Sequence, residues 1–303
     1  MKKTFYSNGK LLITAEYLVL DGAKALALPT KFGQNLIVEE NNLQEIKWTS
    51  YDADGSIWFD ETIELSALRS TTPFEEESVK NTLITILRSA YSLNPNVILN
   101  SEGFIISTQL TFPRKWGLGT SSTLINNIAQ WFEIDAFTLL KNSFGGSGYD
   151  IACAQNNNPI LYHLEQGKPI VEKVKFDPSF SGNLYFVYLN QKQNSKKAIA
   201  SYREKKNNLE TQKQVINEFT QTVLFAEDEN VFAQALVNHE KTLSSILETK
   251  TIKEVLFPDF DGTIKSLGAW GGDFVLVHST KNPISYFSDK GFETVIKYND
   301  MIL

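Results

Sequence analysis

Short apolar and β-branched runs, separated by polar turns, dominate the first 110 residues of the chain. Residues 3–28 are apolar around an Asp21-Gly22 turn signal, which predicts a hairpin whose first arm covers residues 11–20. The same pattern predicts further strands at residues 32–39, 45–50, 57–59 and 103–110. We therefore expect the chain to begin with a β-rich domain.

Apolar residues at three- and four-residue spacing predict helices in much of the remaining chain. The predicted helices cover residues 74–92, a segment that begins near residue 120, the charged stretch 192–224, and residues 230–247 and 253–256. Strands are predicted at residues 159–163, 183–190, 274–277 and 283–287, with a last helix at 291–298. A soft boundary at residues 170–182 divides the chain into domains 1–175 and 176–303. The mixture predicts an α+β fold.

Composition argues against several classes of function. The 303 residues carry a net charge of −6, whereas a nucleic-acid partner needs clustered Lys and Arg. No apolar run approaches the ~18 residues of a membrane span, and the N-terminus lacks the apolar core of a signal peptide. Cys153 is the single cysteine, and the three histidines lack the spacing of metal ligands. We expect a cytoplasmic protein that acts on a small molecule, without nucleic-acid or membrane partners.

A glycine-rich turn joins the predicted strand 103–110 to the helix that follows it. Gly117 and Gly119 have no Cβ atom, so an anion can approach the backbone there. The free N–H groups of the first helical turn, at the positive end of the helix dipole, favour a phosphate. Residues 120–123 add four consecutive hydroxyls. Taken alone, the stretch is also explained by an ordinary capped turn.

Four further residues are notable, and each taken alone has an ordinary structural explanation. Asp150 follows a glycine turn, where an aspartate commonly caps a helix. Lys10, taken alone, is explained as an exposed turn lysine. Gly271 and Gly272 precede the predicted strand 274–277 and, taken alone, are explained as a tight connection.

Three segments of the chain resemble the motifs of the GHMP kinases, the family of galactokinase, homoserine kinase, mevalonate kinase and phosphomevalonate kinase. The first motif, residues 7–20, is similar to A-P-G-K-L-L-[IL]-A-G-E-Y-A-V-L, with Ala15 in place of a glycine. The second, residues 113–123, is similar to P-x-G-A-G-L-G-S-S-A-A, with Lys115 and Trp116 in place of small residues. The third, residues 265–274, is similar to K-x-S-G-A-G-G-G-D-C, with Trp270 in place of a glycine and Phe274 in place of the cysteine.

A fourth segment, residues 147–152, resembles the G-S-G-x-D-[VI]-A element of phosphomevalonate kinase, whose aspartate is catalytic. The segments follow the family's order across nearly the whole chain. The resemblance implies a GHMP kinase fold, with an N-terminal domain like ribosomal protein S5 (residues 1–175) and a ferredoxin-like C-terminal α/β domain (residues 176–303).

The resemblance also implies roles for individual residues in phosphoryl transfer from Mg-ATP. Asp150 and Lys10 would be catalytic, and Ser121 would bind Mg²⁺. The ATP phosphates would be bound by Lys115, Gly117, Leu118, Gly119, Thr120, Ser121 and Ser122. The acceptor would be contacted by Glu16, Ser147, Gly148, Gly271 and Gly272. Mevalonate kinases have an acidic magnesium ligand that corresponds to a position near Leu139, so a further protein ligand for Mg²⁺ stays open.

The form of the motifs favours mevalonate or phosphomevalonate as the acceptor, and hence a role in isoprenoid precursor synthesis. The galactokinase and diphosphomevalonate decarboxylase forms of the first motif are absent. A kinase for homoserine or a sugar is an alternative. So is a non-catalytic protein that binds a nucleotide or metabolite on a GHMP fold, if Trp116 and Trp270 fill the nucleotide site. The oligomeric state is open, with a homodimer among the options.

Overall fold

The computed structural model describes residues 2–191, 195–205, 209–268, 270 and 272–303, without the side chains of residues 195–197 and 205. The chain forms two compact units. The first comprises Met1–Gly9, Phe32–Arg114 and Leu118–Gln155, and the second comprises Lys10–Lys31, Lys115–Gly117 and Asn156–Leu303. Both units are discontinuous, because the chain enters each of them more than once.

The first unit contains an extended sheet. Its strands are β1 (Lys2–Leu12), β2 (Ala25–Glu40), β3 (Glu45–Tyr51), β4 (Ile57–Glu64) and β5 (Phe104–Leu110). β1 and β2 begin or end in the second unit, and in the first unit β2 pairs antiparallel with β5 from Gln34 to Glu40. β3 pairs parallel with β5 and antiparallel with β4, so the strand order is β4-β3-β5-β2. The predicted strands in this region are confirmed, and β4 is longer than predicted.

Helices cover this sheet and build the core of the first unit. They are α1 (Val79–Leu93), α2 (Asn96–Leu99), α3 (Thr120–Phe132), α4 (Ala136–Ser143) and α5 (Tyr149–Gln155). α1 packs on α3 and α4, and α3 packs on α5. Trp48 on β3, Leu87 on α1 and Ile128 on α3 belong to one core cluster and are at most 1% exposed. The helices thus bury their apolar faces against the sheet and against each other.

The second unit contains two sets of strands. β6 (Ile160–Glu165) pairs with Ala25–Ala27 of β2, and β7 (Lys168–Lys173) pairs with β6. The other set consists of β8 (Leu184–Tyr188), β9 (Thr263–Ser266), β10 (Phe274–His278) and β11 (Val295–Lys297). Their order is β11-β8-β10-β9, and every pairing is antiparallel.

The helices of the second unit are α6 (Ser195–Lys205), α7 (Glu210–Phe225), α8 (Glu229–Leu247), α9 (Ile252–Leu256), α10 (Ile284–Asp289) and α11 (Tyr298–Met301). α7 packs on α8, and α8 packs on β9. The connection from β8 through helices to β9 and β10, then through α10 to β11, follows the β-α-β-β-α-β order of a ferredoxin-like domain. The division at residue 175 stays a prediction, since the compact units follow contacts and not chain order.

Three sequence predictions about secondary structure are wrong. The hairpin arm at 11–20 is not a strand, because β1 ends at Leu12 and residues Leu18–Asp21 form a 3₁₀ helix. Residues 283–287 form most of the helix α10 instead of a strand, and the predicted helix 291–298 contains the strand β11. β7 and β9 were not expected. None of the helices in the described part of the chain has the length and apolar character that crossing a membrane requires.

Candidate active site

The entrance of α3 is built by glycines and presents hydroxyls to solvent. Gly119 caps the helix with φ 100°, a conformation that only glycine adopts at little cost. The Ser122 hydroxyl donates to the Gly119 carbonyl at 2.8 Å, and the Thr123 hydroxyl donates to Gln34 Oε1 at 2.7 Å. Ser121 is exposed. The hydroxyls of Ser122 and Thr123 therefore hold the helix, whereas Ser121 is a residue that a ligand can reach.

A buried polar network fixes the position of α3 within the first unit. The Ser7 hydroxyl, from the first motif, donates to Asn127 Oδ1 at 2.7 Å and accepts from Asn126 Nδ2 at 2.8 Å. Asn127 Nδ2 also donates to the Gln34 carbonyl at 2.9 Å. All of these side chains are buried, so each bond replaces one that water would otherwise supply. The network joins β1 and β2 to the helix whose N-terminus is the candidate phosphate site.

Asp150 lies in the first turn of α5, after a turn made by glycines. Gly145, Gly146 and Gly148 all have positive φ, from 77° to 111°. Asp150 is half-buried and is the second residue of the helix, so it is not the N-cap. α5 is held against α3 in the first unit, where Gln155 Nε2 donates to Asn126 Oδ1 at 3.0 Å. The glycine turn thus delivers a carboxylate to a helix that is fixed to α3.

Within the second unit, residues of all three motifs meet at Gly117. Lys10 Nζ, on β1, donates to the Gly117 carbonyl at 3.0 Å. A Cβ atom on Gly117 would lie 2.3 Å from Cγ of Asp273, the aspartate of the third motif. Gly117 has φ 70°. A glycine is therefore required at this position both by its backbone conformation and by the carboxylate beside it.

Two departures from the family motifs contact each other in the second unit. The rings of Trp116 and Phe274 meet edge to face, with centroids 5.5 Å apart, and Tyr188 packs on both. The Tyr188 hydroxyl donates to the Lys115 carbonyl at 3.1 Å. Burial raises the pKa of Tyr188, and the Asp273 carboxylate adds to the rise, so this hydroxyl stays protonated as a donor. The ring of Trp116 is thereby engaged with the strands β8 and β10.

The first-motif loop, residues 14–17, is held by a separate element at each position. The Thr14 hydroxyl accepts from Thr220 on α7 at 2.9 Å. Ala15 N–H donates to His239 Nε2 on α8 at 2.8 Å. Glu16 accepts from Lys265 on β9, and the Tyr17 hydroxyl accepts from the backbone N–H of Trp270 at 3.3 Å. Ala15 and Tyr17 have positive φ, 63° and 65°.

Glu16, His239, Glu240 and Lys265 form a buried charge cluster beneath this loop, each at most 3% exposed. Lys265 Nζ also lies 3.3 Å from Glu240 Oε2, and the Ser266 hydroxyl donates to Glu240 Oε1 at 2.6 Å. Burial raises the pKa of Glu16 to about 7, with Lys265 opposing the rise. Burial and Lys265 hold the pKa of His239 well below its usual value. His239 is therefore neutral, and because its Nε2 accepts from Ala15, it forms no ion pair with Glu16 at 3.8 Å.

Comparison with known proteins identifies the fold of the chain. No protein-family model and no curated protein matches the sequence. Among solved structures, the chain is similar to Methanococcus jannaschii mevalonate kinase, with a TM-score of 0.69 at 16% identity over 97% of this chain and 96% of that one. Streptococcus pneumoniae phosphomevalonate kinase in complex with phosphomevalonate and AMPPNP gives a TM-score of 0.69 at 16% identity over 97% and 99%. The chain has the GHMP kinase fold.

The same fold is shared by kinases that act on other molecules. Lactococcus lactis galactokinase complexed with galactose gives a TM-score of 0.65 at 12% identity, over 95% of this chain and 88% of that chain. Kinases named for different substrates thus share this fold. At these identities, the structural similarity does not indicate the acceptor of this chain.

The structure describes every predicted site position except Gly271. Lys10 and Gly117 are in contact in the second unit. Leu118 is buried beside the entrance of α3, where Gly119, Thr120, Ser121 and Ser122 lie, and Ser147 and Gly148 precede Asp150. Lys115 is exposed, Gly272 is buried, and Gly271 lies outside the described residues. Leu139 is a core residue with 0% exposure, so this position supplies no metal ligand.

Several residues of the arrangement were not found from the sequence. His239 and Glu240 interrupt the apolar face of α8, between the buried Leu236 and Leu243. A histidine and a glutamate at core spacing are a signal that sequence reasoning could have used. The pairing of Glu16 with Lys265 joins residues 249 positions apart, and no local pattern indicates it.

Proposed function

We propose that this protein is an ATP-dependent small-molecule kinase that transfers the γ-phosphoryl group of Mg-ATP to mevalonate or phosphomevalonate, in isoprenoid precursor synthesis. The observation that carries the proposal is the meeting of Lys10, Gly117 and Asp273, one residue from each motif, on a chain with the GHMP kinase fold. Phosphoryl transfer depends mainly on positioning and on stabilisation of charge, and this set of residues supplies both.

The nucleotide phosphates would bind at the N-terminus of α3. The backbone N–H groups of residues 117–122 and the helix dipole favour negative charge, and the glycines allow close approach. The hydroxyl of Ser122 is bonded to the Gly119 carbonyl. We therefore expect Ser122 to face the phosphate with its backbone N–H and not with its hydroxyl. The exposed hydroxyl of Ser121 remains for a phosphate oxygen or a metal ion.

Magnesium would be held mostly by the nucleotide. Among the residues that the structure describes, no group of three or more His, Cys, Asp or Glu side chains could hold a metal ion. Mg²⁺ commonly keeps several waters and binds substrate phosphates, so one hydroxyl from Ser121 fits that chemistry. The ion would neutralise charge on the transferred phosphoryl group.

Asp150 and Lys10 would act on the attacking oxygen and the transferred group. Asp150 would accept the proton of an acceptor hydroxyl, or orient an acceptor phosphate, which is already ionised. Lys10 would stabilise charge that develops on the transferred phosphoryl group. The hydrogen bond from Lys10 to the Gly117 carbonyl restricts the ammonium to one end of the phosphate loop.

The acceptor is proposed from the form of the motifs. The Ala15-Glu16-Tyr17 and Gly271-Gly272-Asp273 sequences favour phosphomevalonate. One of the similar structures is a phosphomevalonate kinase that holds phosphomevalonate and AMPPNP, and another is a galactokinase that holds galactose. The panel of acceptors in the experiment below is chosen accordingly.

The proposal is tested by coupled ADP release with Mg-ATP and mevalonate, phosphomevalonate, homoserine or galactose. We expect turnover with one of the first two acceptors. Asp150→Asn should lower kcat at least ~100-fold, the lower end for general acid–base groups. Asp289→Asn, at an exposed residue that ends α10, is the matched control and should leave kcat unchanged.

Two results would contradict the proposal. Equal turnover by Asp150→Asn would remove this carboxylate from its catalytic role. If Mg-ATP raises the melting temperature of the protein but no acceptor yields ADP, the chain is a nucleotide-binding protein without catalysis, because ligand binding alone stabilises the native state. Turnover with homoserine or galactose alone would keep the kinase and change the acceptor.

A further inference from the structure

The buried charge cluster has no part in the steps proposed above, yet it joins two of the motifs. Glu16 belongs to the first-motif loop, and Lys265 is the lysine that begins the third motif. Their side chains are bonded in the core, with Glu16 1% exposed and Lys265 0% exposed. A carboxylate so deeply buried is placed to hold its own loop and not to meet an acceptor in solvent.

Stability alone gives a poor reason for this cluster. Two carboxylates and one ammonium lose their hydration on burial, and apolar side chains of similar volume often replace such groups without loss of stability. Glu16 Oε2 and His239 Nδ1 are buried and lack a hydrogen-bond partner within the described part of the chain. The cluster is therefore costly, and its benefit must be sought in what it positions.

The two segments that the cluster joins are also joined at Gly117. From the first motif, Lys10 donates to the Gly117 carbonyl, and from the third motif, Asp273 lies against the Gly117 Cα. The segments are thus tied twice within the second unit, once at the phosphate loop and once in the core. A bound ligand cannot reach or displace the buried hydrogen bond between Lys265 and Glu16.

The first-motif loop needs such a tie because its backbone is strained. Ala15 and Tyr17 have positive φ, which disfavours residues with a Cβ atom. Conformations of this kind persist where the surrounding structure over-determines them, and they are frequent near functional sites. Each residue from Thr14 to Tyr17 is held by a side chain or backbone group from a different part of the second unit.

We propose that Lys265 and Glu16 are positioning residues, whose buried bond aligns the first and third motifs so that Lys10 and Asp273 meet at Gly117. This inference rests on the proposed kinase function, in which Lys10 acts on the transferred phosphoryl group. Glu240 and His239 on α8 complete the arrangement, the first by sharing Lys265 and the second by accepting from Ala15.

The test compares kcat and KM of the whole protein with Mg-ATP for two variants that break the bond. Lys265→Met and Glu16→Leu each remove one partner and keep an apolar side chain of similar length. Because misalignment of Lys10 affects the transition state more than the bound ground state, kcat should fall at least tenfold while KM for ATP changes less than threefold. The double variant should be no slower than the slower single variant, since the two residues act as a unit.

Rescue and control variants separate positioning from general stability. Glu16→Gln keeps an oxygen that accepts from Lys265 and should recover most of the kcat that Glu16→Leu loses. Lys281→Met breaks the exposed pair with Asp261 and should leave kcat unchanged. Each kcat is divided by the folded fraction, measured by thermal unfolding, so that lost stability does not count as lost catalysis.

The outcomes distinguish this inference from the proposed function. If the unaltered protein makes ADP and Lys265→Met keeps kcat within threefold, the positioning role is overturned and the kinase stands. If the unaltered protein makes no ADP with any acceptor, both fall together. Should Lys265→Met fail to fold, the double variant, without either charge, supplies the same measurement and the same threefold criterion.

Discussion

The entrance of α3 and the first-motif loop both use left-handed backbone, but they obtain it in different ways. At the entrance, Gly117 and Gly119 adopt positive φ and Ser121 is exposed to solvent. In the first-motif loop, Ala15 and Tyr17 adopt positive φ despite their side chains, and bonds from four other parts of the second unit hold residues 14–17. The first arrangement obtains this backbone from residues without a Cβ atom, and the second obtains it by holding residues that carry one.

The difference follows from what each turn must do. A backbone that binds a phosphate must be free of Cβ atoms and of internal hydrogen bonds on its outer side, so glycine is needed there. A backbone that only has to stay in place can tolerate strain if enough side chains hold it. Placing alanine at a glycine of the first turn and placing glycine at Ala15 in the second should therefore change the free energy of unfolding by very different amounts.

The largest effect is expected from Gly117→Ala. The new Cβ would lie 2.3 Å from the Asp273 carboxylate, and alanine disfavours φ 70°. Overpacking and backbone strain together should lower the free energy of unfolding by about 2–5 kcal/mol, measured by denaturant titration. Gly55→Ala is the matched control, with φ 81° and no neighbouring atom within 4 Å, and should cost only about 1–2 kcal/mol.

A double variant shows whether the contact with Asp273 causes the difference. Gly117→Ala combined with Asp273→Gly removes the carboxylate that the new Cβ would meet. We expect the pair to be less destabilised than the sum of the two single variants. Additive costs would mean that backbone strain alone explains the requirement for glycine at residue 117.

An intermediate effect is expected from the titratable groups that hold the first-motif loop. A raised pKa of Glu16, from 4.5 to about 7, stabilises the fold at low pH, and this stability is lost as pH rises through 7. The lowered pKa of His239 acts in the opposite sense, because the unfolded chain gains a proton below pH 6.5 that the folded chain does not. The two groups should offset each other between about pH 4.5 and 6.5.

Replacing either Glu16 or His239 should reveal the pH dependence of stability that the other group causes. In Glu16→Gln only His239 still titrates differently on folding. The free energy of unfolding should therefore rise with pH up to 6.5 more steeply than in the unaltered protein. His239→Gln leaves Glu16 alone, so it should fall as pH rises from 4.5 to 7, by up to about 3 kcal/mol. Urea unfolding at several pH values gives the slopes. Equal slopes in the unaltered protein and both variants would mean that neither group titrates differently on folding.

The smallest effect is expected from Ala15→Gly. Glycine adopts φ 63° without the cost that alanine has there, but it also loses more entropy on folding. The two contributions nearly cancel, so we expect a change of less than about 1 kcal/mol, in the stabilising direction. A loss of more than 1 kcal/mol would mean that the Ala15 methyl group contributes packing to this buried loop.

The sequence predicted elements where a local pattern decides the structure. Apolar and β-branched runs between polar turns located β3 and β5, and three- and four-residue spacing located α3 and α8. The prediction failed where tertiary contacts decide. Residues 283–287 read as a strand, but Phe287 packs on Phe257 and Phe260, with centroids 5.0 and 5.1 Å apart, and Pro283 and Gly291 mark the two ends of α10.

The same division holds for the candidate site. The glycines of the second motif and the lysine of the first were recognisable because their residue types and spacing carry the chemistry. The buried partners were not, since Lys265 and Glu16 are far apart in the chain and each alone suggests an exposed charge. The positive φ of Ala15 explains why the similar motif has a glycine there, which the sequence alone did not reveal.

The edge-to-face contact of Trp116 with Phe274 has a consequence for how this chain diverged. Neither ring occurs at its position in the motif that its segment resembles, but the two rings pack against each other. Replacing either ring by the small residue of the motif that its segment resembles would leave a void beside its partner. The two positions thus form one unit of sequence change, and we expect descendants of a common ancestor to carry both bulky rings or neither.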